Sequence, residues 1–245
     1  MDAPVQRPDQ RLSDRDAHKR AAAEAAVALV ESGMVVGLGT GSTAAFAITA
    51  LSRRVREEGL DIVGIPTSEA SAAQARQQGI RLTDFSRHRR LDLTIDGADE
   101  VARGSLHLIK GGGGALLREK IVASASDRLV IVADAAKLVD QLGATMWLPV
   151  EVVAFGWQAT ADHLAAAGGA PVLRLDPAGQ PFRTDSGNLI LDCGFGLIAD
   201  PAALERTLSQ VVGVVETGLF IGMADQVLIA GADGVHRLTK GSPSP

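Results

Sequence analysis

Four consecutive glycines, Gly111 to Gly114, stand between Lys110 and the segment ALLREK, which carries Glu119. Glycine loses more conformational freedom on folding than any other residue, so such a run needs a return at that place. A flexible linker is one reading. The apolar residues Leu106, Leu108 and Ile109 before it and the helix-like ALLREKIVASAS after it favour another, a strand-to-helix loop shaped for close approach to a ligand. In a helix starting near Gly114, Glu119 has Ala115, Leu116, Val122 and Ala123 as its neighbours three and four positions away. A carboxyl among such side chains is desolvated and rises in pKa, which makes it a competent general base. The competing reading is a surface glutamate paired with Arg118 or Lys120. The Lys110 ammonium and the amides of Gly111, Gly112 and Gly113 together suit an oxyanion.

Two further loops carry polar residues after apolar runs. In VVGLGTGSTA the run Val35–Leu38 leads into Gly39, Thr40, Gly41, Ser42 and Thr43. The lysine of a nucleotide-hydrolase phosphate loop is missing, and Ser42 stands where a dinucleotide fingerprint has its third glycine. Free amides at a helix N-terminus and three hydroxyls suit a phosphate or a sugar hydroxyl. A capped tight turn holding nothing explains the same residues equally well. In LTIDGADE, Asp96, Gly97, Ala98, Asp99 and Glu100 follow an apolar strand. Local turn chemistry accounts for Asp and Gly there. Crowded like charges, however, need a partner, and hydroxyl recognition with proton transfer is preferred over a magnesium or calcium site.

Taken together, the three loops point to a phosphorylated or polyhydroxylated small molecule and to proton abstraction next to a carbonyl. A net charge of −5 leaves no polybasic footprint for nucleic acid. Cys193 is the only cysteine, which excludes an intrachain disulfide and a thiolate metal cluster. The five histidines show no metal-ligand spacing, and tyrosine is absent. No apolar run approaches the length of a membrane span, and the polar start MDAPVQRPDQRLSDR reads as a loose terminus instead of a signal peptide. A cytoplasmic protein is expected.

The elements that must position these loops alternate. HKRAAAEAAVALVES, TAAFAITALSRRVREEG and SEASAAQARQQ read as helices; MVVGL, DIVGI, GIRL, LDLTI and RLVIVA read as strands. Alternation of this kind predicts an α/β fold, a Rossmann-like, mostly parallel sheet with helices on both faces. After about Thr145 the pattern becomes strand, helix and close-set strands, a smaller α+β lobe. The expected division is an extension over residues 1–15, a catalytic body over 16–145 and 222–245, and the lobe over 146–221. Ligands of parallel sheets bind beyond the carboxyl ends of the strands, where all three loops fall.

GTGST (Gly39–Thr43), DGADE (Asp96–Glu100) and KGGGGALLREK (Lys110–Lys120) resemble the signature loops of the type A ribose-5-phosphate isomerases. VADAAKLVDQLG, LPVEV, TDSGNLILD and VVGVVETGLF extend the likeness, in order, from about Asp16 onward. The resemblance implies interconversion of ribose 5-phosphate and ribulose 5-phosphate through an enediolate, in the non-oxidative pentose phosphate pathway, without metal or other cofactor. It implies Glu119 as the base between C2 and C1, Asp96 assisting ring opening, and Asp99 handling sugar hydroxyls. Lys110 and the glycine amides would stabilise the enediolate oxygen. Thr40 to Thr43 would line the substrate, with Lys19 and Lys137 on its phosphate; the role of Lys19 rests on resemblance alone. The family suggests a homodimer or tetramer. It commonly has Ala at the position of Gly114, a departure expected to loosen the helix start. Rival classes are a sugar-phosphate sensor, an amino-sugar phosphate deaminase and a CoA transferase. The first lacks a DNA-binding segment, the second a histidine in the loops, and the third would need a glutamyl-CoA adduct.

Overall fold

The computed structural model describes residues 8–240. In chain order the elements are α1 (Pro8–Val27), β1 (Val35–Leu38), α2 (Ser42–Glu57), β2 (Val63–Pro66), α3 (Glu69–Gln77), β3 (Leu93–Gly97), β4 (Glu100–Ala102) and β5 (Leu108–Ile109). Then come α4 (Leu116–Ser124), β6 (Leu129–Asp134), a short 3-10 turn (Ala135–Lys137), β7 (Leu138–Val139), β8 (Leu148–Val152), α5 (Trp157–Ala166), β9 (Pro171–Leu173) and β10 (Leu189–Cys193). The chain ends with α6 (Pro201–Leu208), β11 (Val214–Thr217), β12 (Leu219–Phe220), β13 (Gln226–Gly231) and β14 (Gly234–Thr239).

The main sheet has the order β14-β13-β6-β3-β1-β2 and is parallel except for β14, which returns antiparallel on β13. Its central strand β6, LVIVAD, is buried at every position, as a parallel strand covered on both faces must be. Val130 and Val132 enter the core under α1, α2 and α3, whereas Leu129, Ile131 and Ala133 enter the opposite one. Helix α2 reaches the first core through Ala47, Ile48 and Leu51, the spacing of one helical face. The second face is closed by α4 and by a small sheet of order β12-β5-β4-β7. The expected α/β architecture is therefore present, with strands doing part of the covering on one side.

Between β7 and β12 the chain builds a separate antiparallel sheet, β11-β8-β10-β9, packed by α5 and α6. Two strands read from the sequence shrink to isolated bridges: GIRL keeps only Leu82 paired with Gly64, and PFRT contributes Pro181 and Arg183. Both segments lie outside the long ladders: Leu82 pairs only at the sheet edge beside β2, and Pro181 and Arg183 make single bridges to Leu175 and Leu189. The terminus read as loose over residues 1–15 is helical over its described part. Helix α1 already runs from Pro8, where a missing N–H costs nothing at the first helical position, and residues 1–7 lie outside the described residues.

Candidate active site

The loops after β1, β3, β5 and β6 meet at the carboxyl edge of the main sheet around a polar pocket of about 190 Å³. It is lined by residues of all three sequence loops: Thr40, Gly41, Ser42 and Thr43; Gly97, Ala98 and Asp99; Lys110, Gly111, Gly113 and Glu119. Lys19 from α1 and Lys137 from the 3-10 turn line it as well. Asp96 and Gly112 stand behind this lining, each bonded to residues that form it.

Gly39 makes the first loop possible. A Cβ there would come within 2.6 Å of Asp96 Cα and overlap the Asp96 carboxylate, so only glycine lets β1 and β3 end this close together. The Thr40 N–H then donates to Asp96 Oδ1 at 3.0 Å, and the Gly97 N–H donates to the same oxygen at 2.8 Å. Helix α2 opens at Ser42, so its first-turn amides have no partner within the helix and face the pocket rim.

At the floor, Lys110 is buried between two carboxylates. Its Nζ lies 3.0 Å from Asp96 Oδ2 and 3.3 Å from Glu119 Oε1, and it donates to the Gly97 carbonyl at 2.6 Å. Glu119 sits in α4 among the buried residues Leu116, Val122 and Ala123. Arg118 pairs instead with Glu69 at 2.9 Å, and Lys120 with Glu216 at 2.7 Å, so neither sequence neighbour neutralises Glu119. Glu119 Oε2 is buried with no hydrogen-bond partner.

The charge states follow. Burial pushes the Glu119 carboxyl up to about 8; Lys110 opposes the rise, and the Asp96 charge adds to it. Burial also raises Asp96, against Lys110 and the two backbone N–H donors. Burial by itself would lower Lys110, but Asp96 and Glu119 outweigh it and hold the ammonium above the ordinary lysine range. One cation thus faces two carboxyls. Asp96 also accepts from two backbone N–H groups, and Glu119 is the group whose proton is exchangeable near neutrality.

Several residues at the site carried no obvious signal. The Thr40 hydroxyl meets Thr67 Oγ1 at 2.7 Å and Ser68 Oγ at 2.8 Å, while Ser71 Oγ donates to the Gly39 carbonyl at 2.6 Å. This hydroxyl cluster braces the first loop from the start of α3, and the TSEAS run after β2 was the available clue. Asp134, the last residue of β6, and Arg15, on α1, also line the pocket. The Glu151 carboxylate accepts from Thr184 Oγ1 and Asn188 Nδ2, each at 2.9 Å, and from the Leu117 amide. That last bond caps the helix that carries Glu119, and only the folded lobe creates it.

Gly114 lies outside α4, which begins at Leu116 with Ala115 as its cap. Its φ of 79° is in the left-handed region, and a Cβ would overlap the Phe182 ring. Glycine at 114 therefore serves a turn and a tight contact, and does not loosen the helix start as expected.

Comparison with known proteins shows the family of the chain. The family described as Ribose 5-phosphate isomerase A (phosphoriboisomerase A) matches residues 63–234. A ribose-5-phosphate isomerase A of Gluconobacter oxydans is 58% identical over 225 residues, 91% of this chain and 97% of that protein. The solved ribose 5-phosphate isomerase A of Methanocaldococcus jannaschii superposes with a TM-score of 0.89 at 41% identity, covering 92% of this chain and 100% of the other. A D-ribose-5-phosphate isomerase in complex with phospho-erythronic acid superposes equally well, at 0.89 and 37% identity, over 91% and 98% of the two chains. This chain belongs to the ribose 5-phosphate isomerase A family.

Proposed function

We propose that the chain interconverts D-ribose 5-phosphate and D-ribulose 5-phosphate, with Glu119 as the base. The observation that carries the assignment of the base is the buried Glu119 carboxyl, 3.3 Å from Lys110, with one oxygen unpartnered at the pocket. In the ring-opened aldose, Glu119 takes the C2 proton and the electron pair moves through C1 onto O1, forming an enediolate. Return of that proton to C1, with transfer of the hydroxyl proton from O2 to O1, gives the ketose. No electrons leave the substrate, so the step needs no redox partner.

Lys110 and the loop amides are suited to the charge that develops on the enediolate oxygens. Lys110 is held by the Gly97 carbonyl and by ion pairs with Asp96 and Glu119, so its part is to hold the ensemble positive at the right place. Asp96 takes the ring-opening role, and Asp99 a sugar hydroxyl. Ser42, Thr43, Lys19 and Lys137 receive the phosphate, supported by their shared position on the pocket and by the amides at the start of α2. We read the chain as a body over 16–145 and 222–245 bearing these groups, and a lobe over 146–221. Phe155 and Val212, 93% and 84% exposed on that lobe, support a homodimer or tetramer. A charged sugar phosphate does not cross a bilayer unaided, which supports a cytoplasmic enzyme; among the described residues no helix is long and apolar enough to cross a membrane.

The test is a coupled assay of ribulose 5-phosphate formation in the presence of EDTA, on the wild type and on Glu119→Gln. Activity that survives the chelator and falls by about 10²–10⁴-fold in the variant is expected. No turnover by the wild type sinks the isomerase reading. Full turnover by the variant discards Glu119 as the base.

A further inference from the structure

The structure assigns to Arg174, in the small lobe, the positioning of the Gly113 N–H as the backbone donor to the charge that forms on the substrate. The inference rests on the isomerase reading and adds to it a residue from outside the three loops.

Arg174 follows β9, and its guanidinium reaches across to the glycine loop. One nitrogen, Nη1, donates to two successive carbonyls, Gly111 O at 2.8 Å and Gly112 O at 3.1 Å. The rest of the fork is fixed by Asp192 on β10: Nε donates to Oδ2 at 2.9 Å, and Nη2 pairs with Oδ1. The planar guanidinium stacks over Phe182, with 6.0 Å from its central carbon to the ring centroid. Phe182 is the ring against which Gly114 packs. The arginine is only 14% exposed, and every feature that aims it comes from the lobe. A planar five-donor fork suits this task, because it can hold a carboxylate and two carbonyls in one fixed plane.

The consequence lies on the far side of the peptide planes. A trans peptide points its C=O and N–H in opposite directions. The Gly111–Gly112 peptide is bound at both ends. Its carbonyl takes Arg174 and the Gly114 N–H, and its N–H donates to Asp99 Oδ2 at 2.7 Å. The Gly112–Gly113 peptide is held only at its carbonyl, by Arg174. Among the described residues nothing accepts from the Gly113 N–H, and Gly113 lines the pocket. Fixing Gly112 O toward the lobe therefore turns the Gly113 amide toward the substrate. Four glycines without such a clamp would sample many orientations, and a donor that must reorient during the reaction loses most of its benefit.

The experiment compares the wild type with Arg174→Met and Arg174→Lys. It measures kcat, KM, and the inhibition constants of 4-phosphoerythronate and inorganic phosphate. 4-Phosphoerythronate presents a carboxylate where the enediolate charge forms; inorganic phosphate reads the phosphate end alone. For Arg174→Met, kcat is expected to fall about 10–100-fold, less than the roughly 10²–10³-fold cost of removing an aimed donor outright because the Gly113 N–H is still present, with KM moved less than about threefold. Binding of 4-phosphoerythronate should weaken by a similar factor, and that of inorganic phosphate should stay as in the wild type. Arg174→Lys, a single point donor that cannot serve Asp192 and both carbonyls, should lie between the two. If the methionine variant does not fold, the lysine variant decides. Wild-type kcat in the folded variant overturns the assignment, as does equal weakening of both inhibitors, which would mean collapse of the whole pocket. Wild-type turnover together with the loss in Glu119→Gln tests the isomerase reading separately, so the two failures are distinguishable.

Discussion

Lys110 Nζ lies 3.3 Å from Glu119 Oε1, and both side chains are almost sealed from solvent. The contact joins a cation from the end of β5 to a carboxyl on α4, across the glycine loop that separates them in sequence. It decides how the site titrates. Asp96 claims the same ammonium at 3.0 Å, so Glu119 is left with a fraction of one positive charge and a proton it releases only near pH 8.

The first prediction concerns rate. A base with a pKa of about 8 is mostly protonated at neutral pH, so kcat/KM should rise about tenfold per pH unit below that value and level off above it. Replacing Glu119 by Asp shortens the side chain and should lower the plateau. A pH profile that is flat from about pH 6 to about pH 9 counts against Glu119 as the titrating base.

The same proton links to stability. Glu119 has a folded pKa of about 8, above its ordinary value of 4.5, so between these values the folded state holds more protons than the unfolded one. Its contribution is complete below the unfolded value and is lost as pH rises through the folded one. Wild-type Tm should therefore decline from about pH 5 to about pH 9, and the decline should be shallower in Glu119→Gln. Parallel Tm curves for the two proteins would contradict the assigned shift.

Lys110→Met removes the cation shared by two buried carboxyls. Breaking a buried pair on one side typically costs about 3–5 kcal/mol, because the remaining charge is uncompensated. Urea unfolding at neutral pH should show a loss of that order, smaller in acid, where the carboxyls take protons. Adding Asp96→Asn to Lys110→Met should recover part of it. A second substitution that deepens the loss additively would mean the three groups do not share one charge balance.

How much of this was written in the sequence divides along physical lines. The α/β fold and the three loops were legible because periodicity and glycine placement are local, and because parallel strands deliver their following loops to one edge. Residues whose role depends on distant packing were not legible. Arg174 is 62 residues from Gly112, and nothing in PVLRL distinguishes it from a surface arginine. Thr67, Ser68 and Ser71 carry no local sign of a role at the site, which arises only when the start of α3 packs against Gly39 and Thr40. The choice between a paired surface Glu119 and a buried one needed the fold, which sends Arg118 to Glu69 and Lys120 to Glu216.

Gly114→Ala tests a position where this chain departs from the pattern it resembles. A left-handed φ of 79° disfavours any Cβ by about 1–2 kcal/mol, and the Phe182 ring must also move. The substitution should lower stability by that amount or somewhat more. Phe182→Leu in the same chain should relieve the ring overlap and leave the backbone strain. If Gly114→Ala is neutral alone, the ring moves freely and the contact does not hold the loop.

The phosphate end makes the last prediction. Lys137, half-buried in the 3-10 turn after β6, and Lys19 line the pocket together with the first turn of α2. These groups lie outside the Lys110–Glu119 cluster, so they should bind ground state and transition state alike. Uniform binding of this kind appears in KM and leaves kcat nearly untouched. A hydrogen bond to a charged group contributes about 1.5–3 kcal/mol, so Lys137→Met should raise KM for ribose 5-phosphate roughly 10–100-fold. Competitive inhibition by inorganic phosphate should weaken in step, because that anion has no contact to lose at the glycine loop. A variant that instead loses kcat at unchanged KM would put Lys137 on the reacting carbons, and the phosphate would then have to be bound by Lys19 and the α2 amides alone.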